Sequence, residues 1–67
     1  MKSLRKKRGL TQEQLGILVD TSQSYISRIE NGYIKTLTVY KLEKLSEVFE
    51  IKPWELIKIL EKNRANY

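Results

Sequence analysis

Thr11 and Ser22 are both residue types that begin helices, and only ten residues separate them. That interval holds a helix of about two turns and a tight turn, and nothing more. Gln14, three residues after Thr11, completes a capping box, so a helix is expected over residues 12–19. Leu15 and Val19 stand four apart and give it one inward stripe. Ser22 caps the next helix, expected over residues 22–31, with Ile26 and Ile29 buried and Gly32 free to take the left-handed geometry that ends it. Asp20 and Thr21 are left to turn the chain between the two.

The rest of the sequence repeats the helical pattern. Apolar residues recur at intervals of three and four rather than two, and no stretch alternates as a strand would. A short basic helix is expected over residues 2–8, closed by Gly9, with Met1, Leu4 and the Arg8 stem facing inward. Thr38 caps a fourth helix, in which Leu42, Leu45, Val48 and Phe49 share a face, and the segment 33–37 before it reads as a loop. Pro53 opens a fifth helix over residues 53–62 at the position where its fixed dihedral suits the first turn, and residues 63–67 are expected to fray. With no linker, repeat or low-complexity tract, residues 1–67 read as one all-α domain of five helices.

Composition narrows the function. The chain has neither cysteine nor histidine, so disulfides, thiolate chemistry and the commonest catalytic base and metal ligand are all missing. No Gly-rich phosphate loop is present, and a 67-residue chain has no room for a pocket that would perturb a carboxylate. An enzyme, a metal site and a cofactor are not expected, and no small-molecule effector site is legible. The net charge of +5 points to a polyanionic partner, and its distribution is uneven: residues 1–35 carry +4 and residues 36–67 carry +1. The basic start, Met1 to Arg8, is not followed by an apolar run, so neither a signal peptide nor a membrane span is expected. A soluble, cytoplasmic, nucleoid-associated protein is the corresponding expectation.

Two short helices joined by so tight a turn form a helix-turn-helix, whose second helix fits the DNA major groove. The string Thr11-Gln12-x-x-Leu15, followed by Ser22-Gln23-Ser24-Tyr25-Ile26-Ser27-Arg28-Ile29-Glu30-Asn31-Gly32, resembles the phage repressor/Cro-type (Xre-like) helix-turn-helix family over residues 1 to about 60. The resemblance implies a compact five-helix lambda-repressor-like domain in which the helix over 22–31 reads base edges. It also implies that Arg5 and Glu30 form a largely buried ion pair between the first and third helices, which takes Arg5 off the list of DNA contacts. Four positions depart from the family pattern. Gly16 stands where alanine is usual, Asp20 where the turn has glycine, Leu37 where proline is common, and Lys52 where a small polar residue caps the fifth helix.

Candidates for DNA contact follow from position and chemistry. Gln23, in the first turn of the recognition helix, can pair bidentately with adenine, and Arg28, one turn on, can take guanine or a phosphate. Ser24 lies on the same exposed side with a hydroxyl that reaches but discriminates poorly, and Ser27 lies on the adjacent flank, within reach of bases or else simply facing solvent. Tyr25 has two readings: its ring meets a thymine methyl or its hydroxyl a phosphate, or it packs across the loop to the fourth helix. Gln12 and Asn31 are the backbone-positioning candidates, and the resemblance implies that Gln12 also braces Gln23. Lys6, Lys7, Arg8 and Lys35 are further phosphate candidates, each with the alternative of a solvated surface charge.

The fifth helix carries Trp54, Leu56, Ile57, Ile59 and Leu60, too wide an apolar arc for one buried face. Leu56 and Leu60 are assigned to the core, and Trp54, Ile57 and Ile59 to a twofold interface between copies of the chain. The leading expectation is a dimeric, sequence-specific regulator of transcription, by default a repressor on a pseudo-palindromic operator in double-stranded DNA. The alternative is a helix-turn-helix module that uses the fifth helix to bind another protein. The four hydrogen-bonding side chains of the recognition helix favour the first.

Overall fold

Three hydroxyl side chains start three of the helices. In the computed structural model, which describes residues 1–62, Thr11 Oγ1 accepts from the Gln14 amide at 3.0 Å, and Gln14 Oε1 accepts from the Thr11 amide at 2.9 Å. Ser22 Oγ accepts from Tyr25 N–H and Thr38 Oγ1 from Lys41 N–H, both at 3.1 Å. Lys52 has no such side chain; there Glu55 reaches back to accept the Lys52 amide at 3.0 Å, the other half of a capping box. These starts define α2 (Gln12–Leu18), α3 (Gln23–Glu30), α4 (Val39–Phe49) and α5 (Pro53–Lys62), preceded by α1 (Lys2–Lys7). A single 3₁₀ turn, Ile34–Thr36, lies in the segment expected to be a loop. No strand occurs among the described residues. The expected fraying of residues 63–67 lies outside them.

The four helix ends from α1 to α4 share one geometry. A left-handed residue follows each helix, the next amide reaches back five residues, and the left-handed residue's own amide reaches back three. Thus Leu10 N–H donates to Arg5 O at 3.2 Å, Thr21 to Gly16 at 2.7 Å, Tyr33 to Arg28 at 2.9 Å and Ile51 to Ser46 at 3.1 Å. Glycine supplies the left-handed residue at Gly9 and Gly32, but Asp20 (φ 60°) and Glu50 (φ 55°) supply it at the ends of α2 and α4. Each of those two costs about 1–2 kcal/mol for its Cβ. Arg8 and Val19, placed inside helices by the sequence reading, are instead the residues that cap α1 and α2.

The core forms where the five apolar stripes meet. Met1, Leu15 and Val19, Ile26 and Ile29, Leu45 and Phe49, and Leu56 and Leu60 are all buried, each burial stabilising by about 1.5–3 kcal/mol. Leu4, Leu42 and Val48 pack against this cluster partly exposed. The Arg8 stem does not join it, since Arg8 is an exposed residue. Gly16 sets how closely α3 approaches α2: a Cβ there would stand 2.8 Å from the Thr21 carbonyl oxygen and 3.2 Å from Ser22 backbone atoms. A side chain at that point pushes directly on the turn.

Candidate nucleic-acid interface

α3 presents two faces. Ile26 and Ile29 are fully buried, whereas Gln23, Ser24 and Arg28 are exposed and Ser27 is half-buried. Since α3 packs on α2 through its inner face, the outer row stands clear of the domain. Asn31 ends the helix as an exposed cap whose amide donates to Ser27 O at 3.0 Å.

Behind the exposed row runs a connected hydrogen-bond path. Arg5 Nε donates to Glu30 Oε2 at 2.7 Å and Nη2 to Oε1 at 3.2 Å, while Nη1 donates to the Leu10 carbonyl at 2.8 Å. The ion pair is nearly dry, its side chains 9% and 3% exposed. Glu30 Oε1 also accepts from Gln12 Nε2 at 3.1 Å, and Gln12 Oε1 accepts from Gln23 Nε2 at 3.4 Å. An ionised carboxylate only accepts, so it fixes which end of the Gln12 amide faces inward. Gln12 therefore offers its oxygen outward. Gln23 in turn is left with its carbonyl oxygen and a second N–H for another partner.

The remaining candidates are distributed unequally. Tyr25 is half-buried and its hydroxyl donates to the Thr36 carbonyl at 3.2 Å, which is the loop-packing one of its two readings. Burial pushes its phenol pKa up, with the Thr38 backbone and the Arg28 charge opposing to a lesser extent. Lys6 and Lys7 are exposed on α1, and Lys35 is exposed in the 3₁₀ turn. Arg8 is drawn to the end of α4, where Nη2 donates to Phe49 O at 3.1 Å and lies 3.5 Å from the Glu50 carboxylate. On α5, Trp54 and Ile57 are 59% and 43% exposed and lie one turn apart, whereas Ile59 is half-buried.

Sequence reasoning missed Lys41. Its ammonium donates to Val19 O at 3.0 Å and also to Asp20 O, so α4 reaches across to the cap and turn carbonyls that follow α2. The signal was present in Asp20 itself: a non-glycine residue in a left-handed position at a helix end calls for some further support. Ile17 and Leu18, on the outer side of α2, are also left exposed.

A helix-turn-helix whose second helix turns a row of hydrogen-bonding side chains to solvent defines a DNA-binding regulator domain. Residues 1–60 match the family model for helix-turn-helix proteins, and the chain belongs to that family, in its Cro/Xre-like branch. No curated protein and no solved structure matches the chain significantly. Among the described residues no helix is long and apolar enough to cross a membrane.

Proposed function

We propose that the protein is a sequence-specific repressor of transcription that binds an inverted-repeat operator as a homodimer. The observation that carries this reading is the braced Gln23. An amide held from behind by Gln12 and Glu30 keeps a carbonyl oxygen and an N–H side by side, the pair that matches adenine N6–H and N7 in the major groove. Bracing removes rotamer freedom before binding, so less entropy is lost on contact. Arg28 supplies the second base reader, with guanine O6 and N7 as its natural partner, and Ser24 and Ser27 fill the edges between them.

Gln12, donating through the second N–H of its side-chain amide, and Asn31, at the start of α2 and the end of α3, are the phosphate contacts that fix the docking register, joined by Lys6, Lys7 and Lys35. Twofold pairing through Trp54 and Ile57 places two recognition helices about 34 Å apart, one turn of the duplex. Bound across a promoter, such a dimer excludes polymerase, which is why repression is the function assigned. Exposure of Trp54 favours one other reading, an α5 that binds a different protein.

Random-site selection with the purified protein, at two salt concentrations, tests the proposal. Enrichment of an inverted repeat, with affinity falling steeply in salt, is the expected result. Salt-sensitive binding with no enriched sequence would overturn it.

A further inference from the structure

We propose that Lys41 is the positioning residue of the helix-turn-helix turn, an ammonium from α4 that holds α2 and α3 at the angle needed for base reading; the inference rests on the DNA-binding reading above. Among the described residues, Asp20 and Glu50 are the two left-handed residues that are not glycine, each at the end of a helix. Both helix ends receive a basic side chain from a distant element. Arg8 of the α1 end donates to Phe49 O, and Lys41 of α4 donates to Val19 O and Asp20 O. A cation on the final carbonyls satisfies their lone pairs and opposes the negative end of the helix dipole, offsetting the strain of a left-handed Cβ.

At α2 the consequence reaches function. Asp20 and Thr21 are the only residues between α2 and the Ser22 cap of α3 apart from Val19, so the dihedrals of Asp20 set the direction in which α3 leaves. The same peptide groups are bounded on the other side by Gly16, whose carbonyl accepts the Thr21 amide at 2.7 Å. Lys41 therefore closes the turn from the side that Gly16 leaves open. Lys41 is half-buried, and its ammonium is held by the two carbonyls rather than sweeping through solvent. Without it the Asp20 peptide is free to relax, and α3 keeps its helix but loses its orientation.

The test compares Lys41→Met, Lys41→Arg, and Lys41→Met combined with Asp20→Gly, which removes the strain that Lys41 offsets. Two quantities are read: exchange of the Thr21 amide in the free protein, and the ratio of affinities for the selected site and an unrelated duplex, each per folded molecule. Lys41→Met is expected to speed Thr21 exchange and to lower the affinity ratio about tenfold, the size of one lost charge-assisted hydrogen bond. Lys41→Arg should recover part of both, and Asp20→Gly most of both. Equal weakening on the two duplexes, with the salt slope reduced by about 1, would make Lys41 a phosphate contact and overturn the proposal. Wild-type values of exchange and ratio in Lys41→Met would overturn it too. Should Lys41→Met not fold, the double variant decides: folded and discriminating supports the positioning role, folded and indiscriminate refutes it. If the wild-type protein itself shows no site preference, the DNA-reading proposal fails, and Thr21 exchange in the free variants still judges the clamp.

Discussion

The Arg5 guanidinium meets the Glu30 carboxylate at 2.7 Å with both side chains almost sealed from water, joining α1 to the end of α3. Neither charge can be removed alone without stranding the other in a dry site. Replacing Glu30 with alanine also releases Gln12, which shares the same carboxylate.

Glu30→Ala is accordingly expected to cost about 3–5 kcal/mol. For a domain of this size that lowers Tm by roughly 12–40 °C, enough to leave much of the protein unfolded when warm. Thermal denaturation followed by circular dichroism reads it directly. A Tm within a few degrees of wild type would mean that the pair is held loosely in solution.

Gly16→Val tests the contact between α2 and the turn. Valine would place a branched side chain where even a Cβ lies 2.8 Å from backbone oxygen, and backbone there cannot swing aside as a side chain would. We expect destabilisation of about 2–3 kcal/mol, as for other overpacked sites. Denaturant unfolding provides the number, and a change under about 0.5 kcal/mol would show that α2 and α3 are not in such close contact.

How much of this was legible beforehand depends on the range of the interaction. Thr11, Ser22 and Thr38 announce their helices because a cap is a local event, decided within three residues. The Arg5–Glu30 pair was legible only through family resemblance, since nothing in either residue's neighbourhood names the other. Asp20 signalled that the end of α2 needs support, but nothing in the sequence named Lys41 as its source, or Phe49 O as the partner of Arg8. A long flexible side chain can end several residues from its Cα, and helical periodicity reports only the face from which it starts. The same limit explains why Arg8 was expected among phosphate contacts and inside the core, whereas its guanidinium lies at the α4 end.

Alkaline pH should weaken the domain through Tyr25. Burial raises its pKa above the ordinary 10.0, so the folded state holds the phenol proton more tightly than the unfolded chain. The stability this contributes is complete below pH 10.0 and is lost as pH rises through the folded-state value. Wild type should therefore lose more stability than Tyr25→Phe between neutral and strongly alkaline pH. Denaturant melts at the two pH values measure the difference, and parallel losses would show the hydroxyl to be solvated. At neutral pH the variant should be weaker by only about 0.5–1.5 kcal/mol, the hydrogen bond to Thr36.

The proposed base reading by α3 makes a position-specific forecast. Gln23→Ala and Arg28→Ala should each cost about 1–3 kcal/mol on the selected operator and relax preference at one base position per half-site. Asn31→Ala should instead weaken every sequence alike. Binding titrations on single-substituted duplexes separate the two patterns. Uniform loss in Gln23→Ala would return that residue to the backbone contacts.

Trp54 offers the sharpest division between a dimer and a module that binds another protein. An indole 59% exposed, one turn from an exposed Ile57 and with the Lys58 ammonium 5.3 Å from its ring centre, forms an apolar spot with a charged edge. In the proposed dimer that spot would meet its own copy on a twofold axis, and burying it twice would supply the association energy. Trp54→Glu would bring like charges together across the axis while leaving Leu56 and Leu60 in the core. Sedimentation should then show a folded monomer, with a Tm that no longer rises with protein concentration as that of a dimer does. Its affinity for one half-site should hold, while that for the intact inverted repeat falls about 100-fold with the loss of the second attachment. If wild type sediments as a monomer at all concentrations and Trp54→Glu binds the repeat as well as it does, α5 serves a different protein, and the dimer is wrong.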